Sequence, residues 1–474
     1  MIKVITYGTF DMLHYGHRRL LERAKALGDY LIVGVTAEDF DMNRGKVNVH
    51  QSLMERIAGV RATGIADEII VEEYEGQKID DIQRYNVDIF TLGSDWVGKY
   101  DYLNEYCQVI YLPRTEGISS SDIREEEDHL SIGVIGGAGI VEEKFIREGS
   151  FVTGVNFTGL CFSKDNVSEG DKVTISERAQ AAKMFKDAHL SGDDGNYLLT
   201  YDKEEILDVS DAIYITASAA EHYEITKLAL QKDKHVIVEA PLTFSVKEAD
   251  ELFRLAKEKG LILTEAIKTA YSLAFNRMLL LLKGGVIGDV VSVDATITSL
   301  NSNISIPESD LPLNGSLFGW GPAAILAVHR ILGTGYKKKH ILSAYGGNHF
   351  DLFTNIDFEY ENAVASIKVG KGVKSEGELV ITGTKGYIYV PAPWWKTDYF
   401  EVRYEDPNDN RRFFYTLKGE GIRNMIVAFV RDIKYPEQTN SKISPAMTLA
   451  EARLMEDYLS DTDLTKLKFP EGKL

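Results

Sequence analysis

The chain has 474 residues, a length that indicates two or three domains. Of these residues 44% are hydrophobic and 26% charged, a composition typical of soluble globular proteins. Its formal net charge of −19 argues against nucleic acid or an anionic membrane as a partner, because both bind basic faces. The two cysteines, Cys107 and Cys161, lie far apart, which argues against a disulfide framework and favours a cytoplasmic location. We expect neither a signal peptide nor a membrane span.

The first region alternates segments that are typical of strands and helices, as far as a charged run at 124–128. This alternation indicates a parallel, doubly wound α/β sheet, and we assign residues 1–126 to one domain. The predicted strands are 2–7, 29–36, 67–72, 87–92 and 107–112. The predicted helices are 16–27, 51–62, 78–85 and 119–125.

The second region restarts the same alternation, and we assign residues 130–265 to a Rossmann-like domain. Strands follow one another closely after residue 286, so we assign 266–474 to an α+β domain with one large, mostly antiparallel sheet. The predicted strands are 131–136, 152–161, 211–216, 234–238, 261–264, 290–297, 363–369, 378–382 and 387–390. The predicted helices lie near 139–147, 176–187, 219–232, 245–259, 323–332 and 421–434.

A histidine pair follows the first predicted strand, in the segment 8–17, GTFDMLHYGH. His14 and His17 are three residues apart at a predicted helix start, so both side chains project from one face of its first turn. Free backbone N–H groups and the helix dipole favour phosphate there, and Gly16 permits a close approach. The two imidazoles can stabilise the negative charge that develops on an α-phosphate during transfer.

This segment resembles the signature of the cytidylyltransferase superfamily. The resemblance covers residues 1–126 and continues in the segment 114–124, RTEGISSSDIR. The segment 93–100, GSDWVGKY, is similar to that of glycerol-3-phosphate cytidylyltransferases. The resemblance implies a nucleotidyltransferase that moves CMP from CTP, with Mg²⁺, to a small polyol phosphate, and glycerol 3-phosphate is the first candidate.

The same resemblance implies roles for individual residues. The catalytic candidates are His14, His17, Lys46 and Arg114. The nucleotide-binding candidates are Gly8, Thr9, Phe10, Asp11, Gly16, Asp95, Thr115, Ile118, Ser119 and Ser120, and Asp11 is also the candidate metal ligand. The acceptor-binding candidates are Arg56, Trp96 and Lys99. Two alternatives stay open: that Arg56 and Lys46 are ordinary surface charges, and that Trp96 is a packing residue.

A glycine-rich loop at 136–139, GGAG, follows a predicted strand and precedes a predicted helix, as a dinucleotide-binding loop does. The glycine spacing is imperfect, because Ala138 and Val141 stand where a second and a third glycine are expected. After the next strand, Ser163 and Lys164 tolerate a 2′-phosphate, which favours NADP over NAD. The predicted cofactor-binding residues are Gly136, Gly137, Ala138, Gly139, Ile140, Ser163, Lys164, Thr216, Ala217, His222 and Glu239.

Later segments stand in the order found in the Gfo/Idh/MocA oxidoreductase family, which the chain resembles from about residue 130 to its end. They are 212–217, 221–223, 234–241 and 264–271. Three polar groups of the family are absent here, since Ala240 replaces a lysine, and Gly319 and Ala323 replace an aspartate and a histidine. Lys268 is the candidate catalytic replacement, with a structural role equally open. The candidate proton donors are Tyr271 and His222.

Together these patterns predict a bifunctional enzyme. An NAD(P)H-dependent reductase would make a polyol or its phosphate, and the first domain would convert the phosphate into a CDP-linked donor for cell-surface polysaccharide synthesis. We expect a homodimer whose small-molecule partners are CTP, a polyol phosphate and NAD(P)H. The alternative leaves cytidylyl transfer as the one activity and makes the Rossmann-like half a dimerisation or regulatory module.

Overall fold

A computed structural model describes residues 1–37, 49, 51–74, 76–113, 129–163, 173–188, 197–300, 313, 315–345, 351–436 and 441–468. The chain divides into two units. The first unit is Met1–His129 with Phe151–Gly154, and the second is Leu130–Ser150 with Val155–Leu474. Among the described residues, every helix is too short or too polar to reach across a lipid bilayer.

The first unit contains a five-stranded sheet in which every described pairing is parallel. Its strands are β1 (Lys3–Gly8), β2 (Tyr30–Thr36), β3 (Glu68–Glu72), β4 (Ile89–Gly93) and β5 (Gln108–Leu112). Its described helices are α1 (Tyr15–Lys25), α2 (Leu53–Ala62) and α3 (Gln77–Tyr85). The strand order is β3-β2-β1-β4-β5, so the winding direction reverses between β1 and β4. Ligands of such sheets bind outside the carboxyl ends of the strands at this reversal.

Apolar residues on both faces of β1 explain the two helical layers, because a parallel sheet is covered on both sides. Val4 packs in one core with Leu21 of α1 and Val60 of α2. Its neighbour Ile5 belongs to the core on the opposite face, with Ile82 of α3. The predicted doubly wound fold is confirmed.

The second unit begins with a six-stranded parallel sheet of order β11-β10-β9-β6-β7-β8. Its strands are β6 (Leu130–Gly136), β7 (Val155–Phe162), β8 (Leu198–Thr200), β9 (Ala212–Ile215), β10 (His235–Val238) and β11 (Leu263–Glu265). The helices are α4 (Ile140–Gly149), α5 (Ile175–Asp187), α6 (Lys203–Asp208), α7 (His222–Gln231) and α8 (Val246–Glu258). The winding reverses between β6 and β9, and ligands of such sheets bind outside the carboxyl ends of the strands at this position.

A nine-stranded sheet follows, of order β19-β18-β17-β16-β12-β15-β14-β13-β20. Its strands are β12 (Val290–Ser299), β13 (Lys338–Tyr345), β14 (Asp351–Glu359), β15 (Val364–Lys371), β16 (Leu379–Gly383), β17 (Tyr387–Val390), β18 (Tyr399–Arg403), β19 (Arg411–Phe414) and β20 (Leu464–Lys468). The helices are α9 (Leu273–Lys283), α10 (Ser316–Leu332), α11 (Ile422–Lys434) and α12 (Pro445–Leu459). The β12–β15 and β13–β20 pairings are parallel and the other described pairings antiparallel, which confirms the predicted α+β sheet.

Alternation along β12 explains how this sheet is covered. Val293, Ala295 and Ile297 are buried and point to one face, where Ala324 and Val328 of the apolar helix α10 share their core. A strand with one buried face and one partly exposed face shows this period of two residues.

Candidate active sites

The loop after β1 is sharply bent and held in place by Gln51. Phe10 and Met12 adopt positive φ angles of 53° and 46°, which non-glycine residues rarely adopt. The Gln51 side chain accepts a hydrogen bond from Met12 N at 2.8 Å, and Gln51 N donates to the Asp11 carboxylate at 3.0 Å. These contacts stabilise the bent backbone at the carboxyl end of β1, beside the reversal of strand order.

The predicted histidine pair lies at the start of α1. His14 is the N-cap, and its Nδ1 accepts a hydrogen bond from Gly16 N at 3.0 Å. The rings of His14 and His17 stack with centroids 3.9 Å apart, and the Phe10 ring packs edge-on against His17 at 5.6 Å. The structure therefore brings His14, His17 and Gly16 together at a helix N-terminus, where phosphate is favoured.

Arg56 is buried and bonded to the main chain, as a residue with a structural role is. Its side chain is fully buried and donates hydrogen bonds to the main-chain carbonyls of Gln51 at 3.1 Å, Thr9 at 2.8 Å and Thr36 at 2.7 Å. These bonds join the loop after β1 to the end of β2. Arg56 thus positions the histidine loop, and a contact between Arg56 and the acceptor's phosphate stays a prediction.

The predicted acceptor segment begins at the carboxyl end of β4, the strand that pairs with β1. Asp95 and Trp96 belong to a short 3-10 turn, and Lys99 places its ammonium group 4.4 Å from the centre of the Trp96 ring. Trp96 also packs near Tyr100, with centroids 5.9 Å apart. The acceptor candidates and the histidine loop therefore follow neighbouring strands at the same edge of the sheet.

Several predicted site residues lie outside the described residues. They are Lys46, Arg114, Thr115, Ile118, Ser119, Ser120 and Lys164.

A buried polar cluster beneath this edge was missed from the sequence. Lys78 forms an ion pair with Glu72 and lies 4.6 Å from the centre of the Tyr7 ring. The Tyr7 hydroxyl donates to Asp81 at 2.9 Å, and burial, followed by the charge of Asp81, raises the pKa of Tyr7. The available signal was a tyrosine inside an apolar strand together with Gln77 and Asp81, four residues apart on α3 and hydrogen-bonded at 3.0 Å.

The glycine-rich loop at 136–139 connects β6 to α4, as predicted. A Cβ at Gly136 would lie 1.9 Å from the Thr216 hydroxyl, so a glycine is required there. The Glu142 carboxylate accepts hydrogen bonds from Gly137 N at 3.2 Å, Gly139 N at 2.9 Å and Thr216 Oγ1 at 2.5 Å. The Glu142 carboxylate thus accepts hydrogen bonds from the main-chain N–H groups that a pyrophosphate is expected to use, as a phosphate oxygen would. The N–H groups of Gly137 and Gly139 and the Thr216 hydroxyl form a set of donors that fits an anion.

The charge beside Ser163 is mixed. The Ser163 hydroxyl donates to the Glu221 carboxylate at 2.7 Å, and Lys203 lies 3.7 Å from the other oxygen of Glu221. Ser163 was predicted from the sequence, but its partner Glu221 was not.

The proposed proton donors His222 and Tyr271 have unfavourable surroundings for that role. His222 is buried, and its ring nitrogens lie 2.8 Å from the Pro241 carbonyl and 3.0 Å from the Ala217 carbonyl. Burial lowers the pKa of His222, while burial raises the pKa of Tyr271 to about 12. A neutral imidazole carries one N–H, so His222 donates to one of these two carbonyls, and Tyr271 is a weaker acid than a free tyrosine. The role of either side chain as a proton donor stays a prediction.

Lys268 lies after β11, in a 3-10 turn, and forms an ion pair with Glu420. Burial and the nearby charges of Lys396 and Lys144 lower its pKa, against the opposing effect of Glu420. Glu239 follows β10, accepts a hydrogen bond from the Tyr214 hydroxyl, and has its pKa raised to about 7 by burial. Lys268 and Glu239 thus have shifted pKa values at the carboxyl edge of the sheet, which is a mark of candidate catalytic groups.

Gly319 on α10 faces a lysine that the sequence analysis missed. A Cβ at Gly319 would lie 2.3 Å from Nζ of Lys371, whose pKa is lowered by burial. Where the resembled family has an acidic side chain, this chain has a glycine and a neighbouring ammonium group. Since Lys371 comes from β15, 52 positions further along the chain, no local pattern linked it to Gly319.

Comparison with known proteins supports both halves. Residues 5–126 match the cytidylyltransferase-like family, and residues 130–267 match the oxidoreductase family with an NAD-binding Rossmann fold. Glycerol-3-phosphate cytidylyltransferase of Bacillus spizizenii is 52% identical over 126 residues, which cover 27% of this chain and 97% of that protein. The Staphylococcus aureus enzyme of the same name is 44% identical, with 27% and 95% covered. The chain therefore belongs to the cytidylyltransferase-like family.

This cytidylyltransferase domain is fused to an oxidoreductase-family domain, so both predicted resemblances are confirmed. The second half is also similar to solved structures of KijD10, a 3-ketoreductase from Actinomadura kijaniata in complex with NADP and TDP-benzene. That likeness has a TM-score of 0.60 at 19% identity and covers 72% of this chain and 100% of the other. UDP-N-acetylglucosamine 3-dehydrogenase GnnA from Acidithiobacillus ferrooxidans matches with a TM-score of 0.55 at 15% identity, covering 71% and 99%. At these identities the likeness shows the fold.

The cytidylyltransferase domain shows no preformed metal cage in its described part. No group of three or more His, Cys, Asp or Glu side chains there is placed to hold a metal ion. Asp11, the predicted metal ligand, is fully buried and accepts a hydrogen bond from Gln51 N. The described residues of this domain do not by themselves form a site for a resident Mg²⁺, and Asp11 as a metal ligand stays a prediction.

Proposed function

We propose that the protein is bifunctional and that its first domain transfers CMP from CTP to a small polyol phosphate. The products are a CDP-polyol and pyrophosphate, and glycerol 3-phosphate is the first candidate acceptor. The observation that carries this proposal is the stacked pair His14 and His17 at the start of α1, beside the reversal of strand order. The named activity of the Bacillus and Staphylococcus relatives supports the choice of CTP and glycerol 3-phosphate.

The reaction needs positioning and charge stabilisation rather than a general base. A phosphate monoester has a second pKa near 6, so the attacking oxygen is already an anion at neutral pH. This oxygen bonds to the α-phosphorus of CTP while the bond to the β-phosphate oxygen breaks, and pyrophosphate leaves. His14 and His17 donate hydrogen bonds to the α-phosphate as its charge grows, and Asp95, Trp96 and Lys99 hold the acceptor.

The assay incubates the full chain with MgCTP and glycerol 3-phosphate and measures pyrophosphate release and CDP-glycerol. We expect both products at equal rates, and slower turnover with ATP in place of CTP. Phosphates of four- and five-carbon polyols test the acceptor's size. Absence of pyrophosphate release with every acceptor would refute the proposal.

For the second half we propose NADPH-dependent reduction of a small ketose or keto sugar phosphate to a polyol or a polyol phosphate, and the polyol phosphate is the acceptor that the first domain uses. The bound dinucleotide supplies the hydride. Gly137 and Gly139 hold its pyrophosphate once Glu142 is displaced, and Lys268 donates a proton to the carbonyl oxygen as the alcohol forms. The support is the lowered pKa of Lys268 at the carboxyl edge of the sheet, and the NADP named in the KijD10 complexes favours NADP over NAD.

Lys268→Met tests this assignment directly. It removes the ammonium group while keeping the alkyl chain, so NADPH oxidation should fall to background and CDP-polyol formation should continue. Lys337→Met is the matched control, since Lys337 also pairs with a glutamate, Glu361, but lies half exposed. Unchanged NADPH oxidation in Lys268→Met would remove Lys268 from the site.

A second candidate function makes the oxidoreductase-family domain a non-catalytic module for dimerisation or regulation. The specific observation in its favour is Glu142, whose carboxylate already satisfies the amide groups of the glycine-rich loop. The replacement of the family's lysine by Ala240 points the same way. Failure of the chain to bind either NADPH or NADH would support this alternative.

A further inference from the structure

Three lysines from separate elements converge on one carboxylate in the second unit. Glu420 Oε1 lies 3.0 Å from Nζ of Lys144, which belongs to α4, and 2.8 Å from Nζ of Lys396, which ends the 3-10 turn Trp394–Lys396. The other oxygen of Glu420 pairs with Lys268. The lysines therefore come from the helix after the glycine-rich loop, the turn after β11 and the sheet domain.

The cluster carries an excess positive charge, because three ammonium groups face one carboxylate. The neighbouring Glu148 does not cancel this excess, since it pairs with Arg423 at 2.9 Å. Glu239, which interacts with Lys268, has a raised pKa of about 7 and is only partly ionised at neutral pH. The excess of about two charges thus lies close to Lys268 in a protein whose formal net charge is −19.

The cluster is open to small ligands. The side chains of Lys144, Lys268, Lys396 and Glu420 are 27–34% exposed, whereas those of the ion pair Lys78–Glu72 in the first unit are 9% and 2% exposed.

The Glu420 carboxylate is held by a strained backbone. Gly419, Glu420 and Gly421 all have positive φ angles, of 57°, 55° and 90°. A Cβ at Gly421 would lie 2.9 Å from the Lys268 carbonyl oxygen, so this turn fits closely onto the turn that carries Lys268. A non-glycine residue in this conformation costs free energy, which is typical of functional positions.

We propose that Lys144 and Lys396 bind the phosphate group of the reductase's substrate, and that Glu420 occupies this place until the substrate arrives. A phosphate monoester carries nearly two negative charges at neutral pH, which matches the excess charge of the cluster. Lys268 pairs with the other oxygen of Glu420 and interacts with the charge of Glu239, so we place the substrate's carbonyl beside Lys268. The substrate class is a small phosphorylated ketone.

This inference rests on the proposed reductase and gives it a place in the reaction sequence. Reduction of a phosphorylated ketone, with hydride from the dinucleotide and a proton from Lys268, yields a polyol phosphate. A polyol phosphate is the class of acceptor that the cytidylyltransferase domain requires, so no separate kinase step is needed between the two reactions.

The test measures the dissociation constant of inorganic phosphate by calorimetry on the full chain, in the absence of dinucleotide. Lys144→Met and Lys396→Met should each weaken phosphate binding tenfold or more, and Lys337→Met should leave it unchanged. Glu420→Gln should tighten binding several-fold, because it removes the internal competitor while keeping the shape of the side chain. Lys144→Arg, which keeps the charge, should retain binding and serves where another variant lowers the melting temperature.

Equal phosphate binding in the parent chain and in three variants would overturn the proposal, because the phosphate would then bind elsewhere on the chain. These variants are Lys144→Met, Lys396→Met and Glu420→Gln. Weaker binding in Glu420→Gln with a retained fold also overturns it, since the carboxylate would then support the site instead of competing for it. The expected pattern without any NADPH oxidation would keep the anion site and refute the reductase. NADPH oxidation together with phosphate binding that these substitutions leave unchanged would support the reductase and overturn the anion site.

Discussion

The proton on the neutral His14 ring lies on Nε2, because Nδ1 accepts the hydrogen bond from Gly16 N. One main-chain contact therefore makes the far nitrogen of His14 a donor. Stacking against His14 and the edge of Phe10 fixes the plane of His17. The positive φ angles of Phe10 and Met12 are the backbone cost of this placement.

His17→Ala should reduce CMP transfer about 100-fold or more, since one hydrogen-bond donor to transition-state charge contributes roughly 3 kcal/mol. The effect should appear in kcat, with a smaller change in KM for CTP. Pyrophosphate release is the measurement, and His340→Ala is the control, because His340 is exposed on the nine-stranded sheet and bonds Thr465. Near-normal turnover in a folded His17→Ala protein would rule out the role.

At the scale of elements, the N-terminus of α4 shows how a helix cap can compete with a ligand. Glu142 stands three residues after the N-cap Gly139 and returns its carboxylate to the amide groups of the loop. The same carboxylate stabilises the loop and repels a pyrophosphate that approaches it.

Glu142→Gln should tighten NADPH binding by roughly tenfold, which corresponds to about 1.4 kcal/mol, because the competing negative charge is gone. The loss of the charged cap should lower the stability of α4 by about 1 kcal/mol or less. Calorimetric titration of NADPH gives the first quantity and thermal unfolding the second. Weaker NADPH binding in a folded Glu142→Gln protein would show that Glu142 supports the cofactor site.

Elements with a strong local pattern could be predicted from the sequence. The strand, loop and helix at β1 and α1 were predicted because apolar alternation, a helix start and the histidine spacing are all local. The short elements β8 and α6 were missed, since three and six residues are too few to show a period. The partners of Lys268 and Gly319 were also missed, because Glu420 and Lys371 reach them only through tertiary packing.

In the second unit, a buried acidic pair lies where the end of β11 meets α12. Glu265 at the end of β11 accepts hydrogen bonds from Leu242 N at 2.8 Å and from the Thr448 hydroxyl of α12 at 2.6 Å. Glu451, one turn along α12, is buried beside it. Burial raises the pKa of both carboxyl groups, and the charge of Glu265 raises that of Glu451 further.

The free energy of unfolding of the second unit should therefore fall as the pH rises above about 4.5. The folded state keeps protons on these carboxyl groups that the unfolded chain releases in this range. Glu451→Gln removes one such group, so the free energy of unfolding should fall less steeply with rising pH than in the parent chain. Melting temperatures between pH 5 and 8 measure the difference, and equal slopes for both proteins would contradict it.

The proposed bifunctional chain carries a cytidylyltransferase and a dinucleotide-dependent reductase. The most direct measurement is calorimetric titration of NADPH, and then NADH, into the full chain that has been shown to form CDP-glycerol. We predict a dissociation constant in the micromolar range, tighter for NADPH than for NADH. No binding of either dinucleotide would contradict the claim and leave the second half as a regulatory or dimerisation module.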